Sequence, residues 1–247
     1  MLCEGWDVSE ALNSSIKITS VSEVHEASHC LRDYKRFFSN RKMQVKPSAH
    51  PLSVPLFTKW KPIISTHKAK PRTEIEIRFG RVAGSGFDTN VGKEAFSKVQ
   101  GALVKYDGWA ATKHSNATVY YFNGSKRLTV DEDTDEQVGQ IKKRICVNDF
   151  QLGDSAFDVR LGVSSEEPWE YDDEEVSTKQ KTKERWSFVR KNLSIDLSII
   201  KGTPDDHDSD EDTSYQIELE IIDPSKVESD VELFNLLHKV FDVLNCV

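Results

Sequence analysis

Six segments of the chain carry side chains whose types and spacing suit chemistry on a polyanion. Glu74/Glu76 and Glu218/Glu220 form two E-x-E pairs, each on one face because strand side chains have period two. Lys181, Lys183 and Arg185 make an all-basic face on another segment, and Lys142 with Arg144 make a shorter one. Arg127 opens KRLTV, and SIDLS contributes Asp196 and Ser198. Carboxylates brought together raise one another's pKa and require compensation, which a hard divalent cation such as Mg²⁺ or Mn²⁺ supplies through its oxygen ligands. Basic faces grip phosphate oxygens, Arg through a fork and Lys as a point charge. Metal and cations on one wall suit phosphoryl chemistry. Taken singly, an E-x-E or K-x-K-x-R segment reads as a solvated strand face. The informative feature is that the signs segregate by strand.

The elements that must hold these residues read as strands. TEIEIRFG alternates Glu74, Glu76 and Arg78 with Ile75, Ile77 and Phe79. From 109 to 223 follow ATVYYF, KRLTV, QIKKRICV, AFDVRLGVS, KTKERWSFV, LSIDLSII and YQIELEII, separated by Asn123-Gly124 and polar loops, the pattern of an antiparallel barrel or sandwich. Helical spacing appears three times: Val24 to Phe38, Phe96 to Tyr106, and Val227 to Leu244 after Pro224. Residues 41–72, with scattered prolines, read as extended linker or irregular strand, and RVAGSGFDTN as turn. The expected organisation is an N-terminal helical or extended appendage over 1–50 and a strand-rich body with a docking helix over 51–247.

The chain has 247 residues, 37% hydrophobic, enough for a lean core. No run approaches the ~18 apolar residues of a membrane span, and MLCEGWDVSEALNSS lacks the basic-then-apolar run of a signal peptide. Cys3, Cys30, Cys146 and Cys246 form no C-x-x-C. The expectation is a soluble intracellular protein with no membrane association. The net charge of −8 is concentrated in EEPWEYDDEE (166–175) and DDHDSDED (205–212); without their thirteen acids the rest stands at +5, so a basic cleft is compatible with the acidic total. HEASH at 25–29 satisfies H-E-x-x-H, a zinc-site pattern. The apolar stripe Val24–Ala27–Leu31 puts His25 and His29 on the polar side and no further ligand motif follows, so it reads as a solvated helix face. His50 stays open as a third ligand. His207 sits in an acidic loop without a partner pattern. Trp109, Tyr120, Tyr121 and Trp186 suit either base stacking or packing.

The motifs TEIEIRFG, TKQKTKERWSF, SIDLSI and YQIELEII, in that order, resemble those of the metal-dependent RNA triphosphatases of the fungal and protozoan mRNA-capping apparatus, which are triphosphate tunnel metalloenzymes. The resemblance spans about 70–223 and is closest to the stand-alone protozoan enzymes. It implies a mainly β (α+β) fold, an eight-stranded antiparallel β-tunnel with a hydrophilic lumen and a few flanking helices. By resemblance Glu74, Glu76 and Glu220 would ligate Mg²⁺ or Mn²⁺, with Glu218 beside them. Arg127, Lys142, Lys183 and Arg185 would bind the triphosphate, supported by Lys181 and Arg144. Glu166 would orient the attacking water, while Arg78 and Asp196 would hold ligands and basic side chains in place. The implied reaction removes the γ-phosphate of 5′-triphosphate RNA in the first step of cap formation. Implied partners are the nascent RNA end, a guanylyltransferase or the transcription machinery, and the implied location is the nucleus.

Two positions depart from the family pattern. Gln216 stands where the last strand usually has Glu, and Lys181 where Arg is frequent; Arg and Lys are not equivalent phosphate ligands. Two other readings stay open: a tunnel enzyme acting on tripolyphosphate, a nucleoside triphosphate or thiamine triphosphate, and a binding module without catalysis.

Overall fold

A computed structural model describes residues 50–84, 86–202 and 213–247. The helix expected over 20–38, HEASH, Cys3, Cys30, the acidic run 205–212 and His207 lie outside the described residues. By its contacts the chain divides at Lys59/Trp60, and the strands all lie in the second unit, Trp60–Val247.

Each alternating segment becomes a strand: β1 (Thr73–Ala83), β2 (Gly86–Asp88), β3 (Ala111–Tyr121), β4 (Lys126–Asp131), β5 (Gln137–Phe150), β6 (Asp158–Pro168), β7 (Lys179–Arg190), β8 (Leu193–Gly202) and β9 (Thr213–Ile221). The order is β2-β1-β6-β5-β4-β3-β7-β8-β9, and β1 also pairs with β9. That pairing closes eight antiparallel strands into a barrel, with β2 as a short extra strand on the end of β1. Closure leaves the basic strand β7 no free edge, since it is flanked by β3 and β8. The fold is therefore the eight-stranded antiparallel barrel that the resemblance implies. β2 lies within the stretch read as turn.

The two faces of the strands are inverted relative to an ordinary small barrel. Ile75, Ile77, Phe79, Leu197, Ile217 and Leu219 are all but fully buried, on the faces away from the charged positions. The charged positions alternate with them and line the lumen. Two helices lie outside: α2 (Lys93–Lys105), whose Phe96 meets Trp186 and Tyr215 edge-on, and α3 (Asp230–Leu244), which buries Phe234, Leu237 and Phe241. Helix α3 begins three residues after its apolar pattern does. A 3₁₀ turn at Pro224–Lys226 comes first, and the Ser229 side chain then accepts from the Glu232 amide as the cap.

The reading of 41–72 as linker is corrected within its described part: α1 (Ser53–His67) is helical through Pro62. An internal proline removes one backbone hydrogen bond and costs about 3 kcal/mol. Trp60 and Ile64, four residues apart, are fully buried, and Trp60 Nε1 donates to Asn148 Oδ1 of β5 at 3.0 Å. Lys61 pairs with Asp230 of α3 at 2.6 Å. These tertiary contacts offset the proline, which local sequence weighs more heavily.

Candidate active site

The lumen sorts its charges by strand. Acids occupy β9 and β1 at the closing seam; cations occupy β5 and β4 on one side of it and β7 on the other. The seam's register sets Glu76 opposite Glu220 and Arg78 opposite Glu218. The four carboxylates of the two pairs do not simply crowd together, because guanidiniums intervene. Arg78 lies 2.9 Å from Glu76 Oε1 and 3.0 Å from Glu218 Oε1. Arg185 reaches Glu218 Oε2 at 3.0 Å.

These neighbours drive the acids apart electrostatically. Burial alone would raise Glu218, but Arg78, Lys183 and Arg185 outweigh it and hold its carboxyl at about 2. Glu220 has no ion-pair partner among the described residues, and burial, reinforced by Glu74 and Asp196, pushes it up to about 7. Burial and then Glu218 likewise raise Glu76. Glu74 is lowered, because Lys142, with which it pairs, and the Ser164 hydroxyl donating at 2.6 Å outweigh its burial. Opposite Glu76 on β6 is Gly162, where a Cβ would come within 3.1 Å of Glu76 Oε1. A glycine at that point gives the carboxylate its room.

The cations divide into held and free. Arg185 is held by Glu218, by Asp196 at 3.3 Å and by Ser198 Oγ at 3.2 Å. Ser194 Oγ in turn donates to Asp196 at 2.7 Å. Lys142 pairs with Glu74 and lies 3.4 Å from Glu166. Lys183, two residues before Arg185 on β7, has no carboxylate within ion-pair distance among the described residues. Burial, then Arg185, lowers its ammonium to about 8. Lys181, next on the same lumen face, and Arg144, exposed beside a bulge in β5, have no ion pair among the described residues either.

Glu166 sits on β6 directly opposite Lys142. Its Oε1 accepts from Arg127 at 2.6 Å and its Oε2 from Gln140 at 3.3 Å, while Gln140 Oε1 accepts from Arg127 at 2.8 and 3.1 Å. Gln140 and Gly162 escaped the sequence reading, since neither type signals chemistry; only their positions two residues from Lys142 and Ser164 pointed to the lumen face. Gln216 donates to Thr89 and Ser214 hydroxyls at 3.1 and 3.2 Å, a neutral substitute for an acid. Trp109 packs on Tyr106 and Phe188, and Trp186 between Phe96 and His114. Tyr121 is exposed at the lumen rim, opposite Arg127 on one side and Lys179 on the other.

For a divalent metal the donor chemistry fits. Glu74, Glu76 and Glu220 offer hard oxygens, and Glu220 has no ion-pair partner among the described residues. Among the described residues no group of three or more His, Cys, Asp or Glu is gathered closely enough to hold a metal ion as it stands. Lys142 and Arg78 occupy the intervening positions, and Glu218 is committed to two arginines.

The family described as mRNA capping enzyme, beta chain, matches residues 113–234. No curated protein matches the sequence. Among solved structures, the S. pombe Pct1 RNA triphosphatase superposes with a TM-score of 0.63 at 15% identity, over 82% of this chain and 95% of that one. The same protein in complex with the Spt5 CTD gives 0.61 at 15% identity, over 82% and 95%. The Mimivirus capping enzyme triphosphatase gives 0.52 at 13%, over 76% and 96%. At such identities these structures speak for the fold, and the family match takes in the three later strand motifs but not TEIEIRFG. The resemblance read from those motifs holds.

Proposed function

We propose, from the premise that this chain resembles the RNA triphosphatases of mRNA capping, that it hydrolyses the β–γ phosphoanhydride of 5′-triphosphate RNA to a 5′-diphosphate end and phosphate. The observation that carries the proposal is Lys183: a cation deep in the lumen, flanked by Arg185 and Arg127 and without an ion-pair partner among the described residues. Such a site is incomplete without a polyanion.

Glu74, Glu76 and Glu220 would hold Mg²⁺ or Mn²⁺, with Glu218 beside them. When bound, the ion neutralises and polarises γ-phosphate oxygens. Lys183, Lys181 and Arg185 on β7 and Arg127 on β4 bind the triphosphate from the other side, with Lys142 and Arg144 contributing from β5. Their charge spreads the negative charge of the transition state. Glu166 aligns water and accepts its proton as the water oxygen bonds to the γ-phosphorus. The bond from phosphorus to the β–γ bridging oxygen breaks, and the diphosphate end leaves. Asp196 and Arg78 keep Arg185 and the acids in register throughout. Nuclear location follows from the reading, as does a partner in the transcription machinery or a guanylyltransferase; the Spt5 CTD bound by Pct1 supports the former.

The test is release of phosphate from γ-labelled triphosphate-ended RNA, with Mg²⁺ or Mn²⁺, with chelator, and with tripolyphosphate as competitor. Metal-dependent release of the γ-phosphate alone is expected. Turnover of tripolyphosphate without turnover of RNA would assign another substrate, and no turnover of either would make the lumen a binding site.

A further inference from the structure

A carboxylate that aligns water must keep one oxygen open and pointed in a fixed direction. Around Glu166 the two oxygens are treated differently. Oε1 accepts from Arg127 Nη2 at 2.6 Å and has Lys142 Nζ at 3.4 Å. Oε2 accepts a single, longer hydrogen bond from Gln140 Nε2, at 3.3 Å. Gln140 Oε1 in turn accepts from Arg127 Nε at 3.1 Å and Nη2 at 2.8 Å. Only one orientation of the Gln140 amide satisfies this triangle. A guanidinium has hydrogens alone to offer, so the amide oxygen must face it; an ionised carboxylate has none, so the NH₂ must face that. The backbone enforces the arrangement. Gln140 lies opposite Arg127 across the β4–β5 pair, and two residues along the lumen face from Lys142, the partner of Glu166. Gln140 thus reaches Glu166 on the diagonal.

We infer that Gln140 is a positioning residue for the reaction proposed above, on which this inference rests. It locks Arg127 and Glu166 to each other through one amide. Glu166 Oε2, carrying one weak bond, keeps a lone pair for the attacking water, and Oε1 is spent on cations. The Nε and Nη2 edge of Arg127 is committed to Gln140 and Glu166, which leaves Nη1 for phosphate. One neutral side chain therefore sets both the direction of the water and the edge of the guanidinium offered to substrate. A carboxylate at 140 could hold Arg127 but would repel Glu166; an aliphatic residue could do neither.

The experiment uses the full chain and steady-state γ-phosphate release from triphosphate-ended RNA with Mn²⁺, for wild type, Gln140→Glu, Gln140→Leu, Glu166→Ala and Gln140→Glu/Glu166→Ala, with the melting temperature of each. Gln140→Glu is expected to lower kcat about 10- to 100-fold, the scale of misplacing one group that handles a proton, with KM within about twofold. Gln140→Leu is expected to lower kcat and also raise KM several-fold, because Arg127 is released as well. On the residual rate of Glu166→Ala, adding Gln140→Glu is expected to cost less than about twofold, since a residue acting through Glu166 has nothing left to position. Equal losses of kcat from Gln140→Glu in both backgrounds, or wild-type kcat in Gln140→Glu, would overturn the inference while the triphosphatase reading stands. So would losses that merely follow a fall in melting temperature. A wild-type protein that releases no γ-phosphate would overturn both.

Discussion

Glu76 and Glu220 stand directly opposite each other across the β1–β9 pair, the seam that closes the barrel. Their carboxylates belong to strands whose motifs are some 140 residues apart in the chain, and both are pushed up from the usual range by burial and by acidic neighbours.

Glu220 gives the metal-free protein a definite pH dependence. Its folded pKa of about 7 lies above the ordinary carboxylate value of 4.5, so its penalty is absent below pH 4.5 and fully present above pH 7. Glu220→Gln is expected to stabilise the protein in chelator at pH 8 by up to about 3 kcal/mol and to change little at pH 4.5. Denaturant titrations at the two pH values check this; a mutant less stable than wild type at pH 8 would contradict it.

Divalent metal should compensate the same group. Binding of Mn²⁺ is expected to tighten from pH 6 to pH 8 and to release protons, because Glu220 must ionise to become a ligand. Calorimetry in two buffers of different ionisation enthalpy measures the protons released. Glu74→Ala, Glu76→Ala and Glu220→Ala are each expected to cut metal-dependent turnover on the order of 100-fold or more, with far-UV dichroism unchanged.

Lys183 should set an alkaline limit to phosphate binding. Its pKa of about 8 lies below that of an ordinary lysine, so its charge is lost as pH rises through that value. Inhibition by tripolyphosphate is expected to weaken above pH 8 in the wild type. Lys183→Ala should weaken it at pH 7 by about 1.5–3 kcal/mol, the scale of a charge-assisted contact. Lys183→Arg should retain binding and remove the alkaline decline. An inhibition constant that is unchanged in Lys183→Ala would count against the assignment.

Gly162→Ala tests the room behind Glu76. The added Cβ, 3.1 Å from Oε1 and 3.2 Å from Cγ, forces the carboxylate to shift by a few tenths of an ångström. Turnover is expected to fall several-fold with weaker Mn²⁺ affinity, in proportion to the larger losses that misplacement by a full ångström brings. The melting temperature in chelator should stay within a few degrees, and an unchanged Mn²⁺ affinity would show that the glycine has another role.

Much of the site was legible because period two is a local property. Glu74 with Glu76, Glu218 with Glu220, and Lys181 with Lys183 and Arg185 each reveal a common face within a few residues of chain. Gln140 and Gly162 were not legible. An amide and a glycine gain their roles from what stands across the strand, which no spacing along the chain records. Helix α1 was missed for a related reason: Pro62 argues against a helix locally, and only burial of Trp60 and Ile64 outweighs it.

The sequence by itself determined which residues share a strand face, and so that, Arg78 apart, the paired acids and the basic clusters would lie on different strands. Tertiary structure alone decided the closing register, which sets Glu76 against Glu220 but Arg78 against Glu218. That choice leaves Glu220 with no ion-pair partner among the described residues and holds Glu218 at about 2. The physical reason is that alternation is fixed by backbone geometry over two residues. Ionisation depends on which charges meet within a few ångströms, and in a closed barrel those charges come from distant strands.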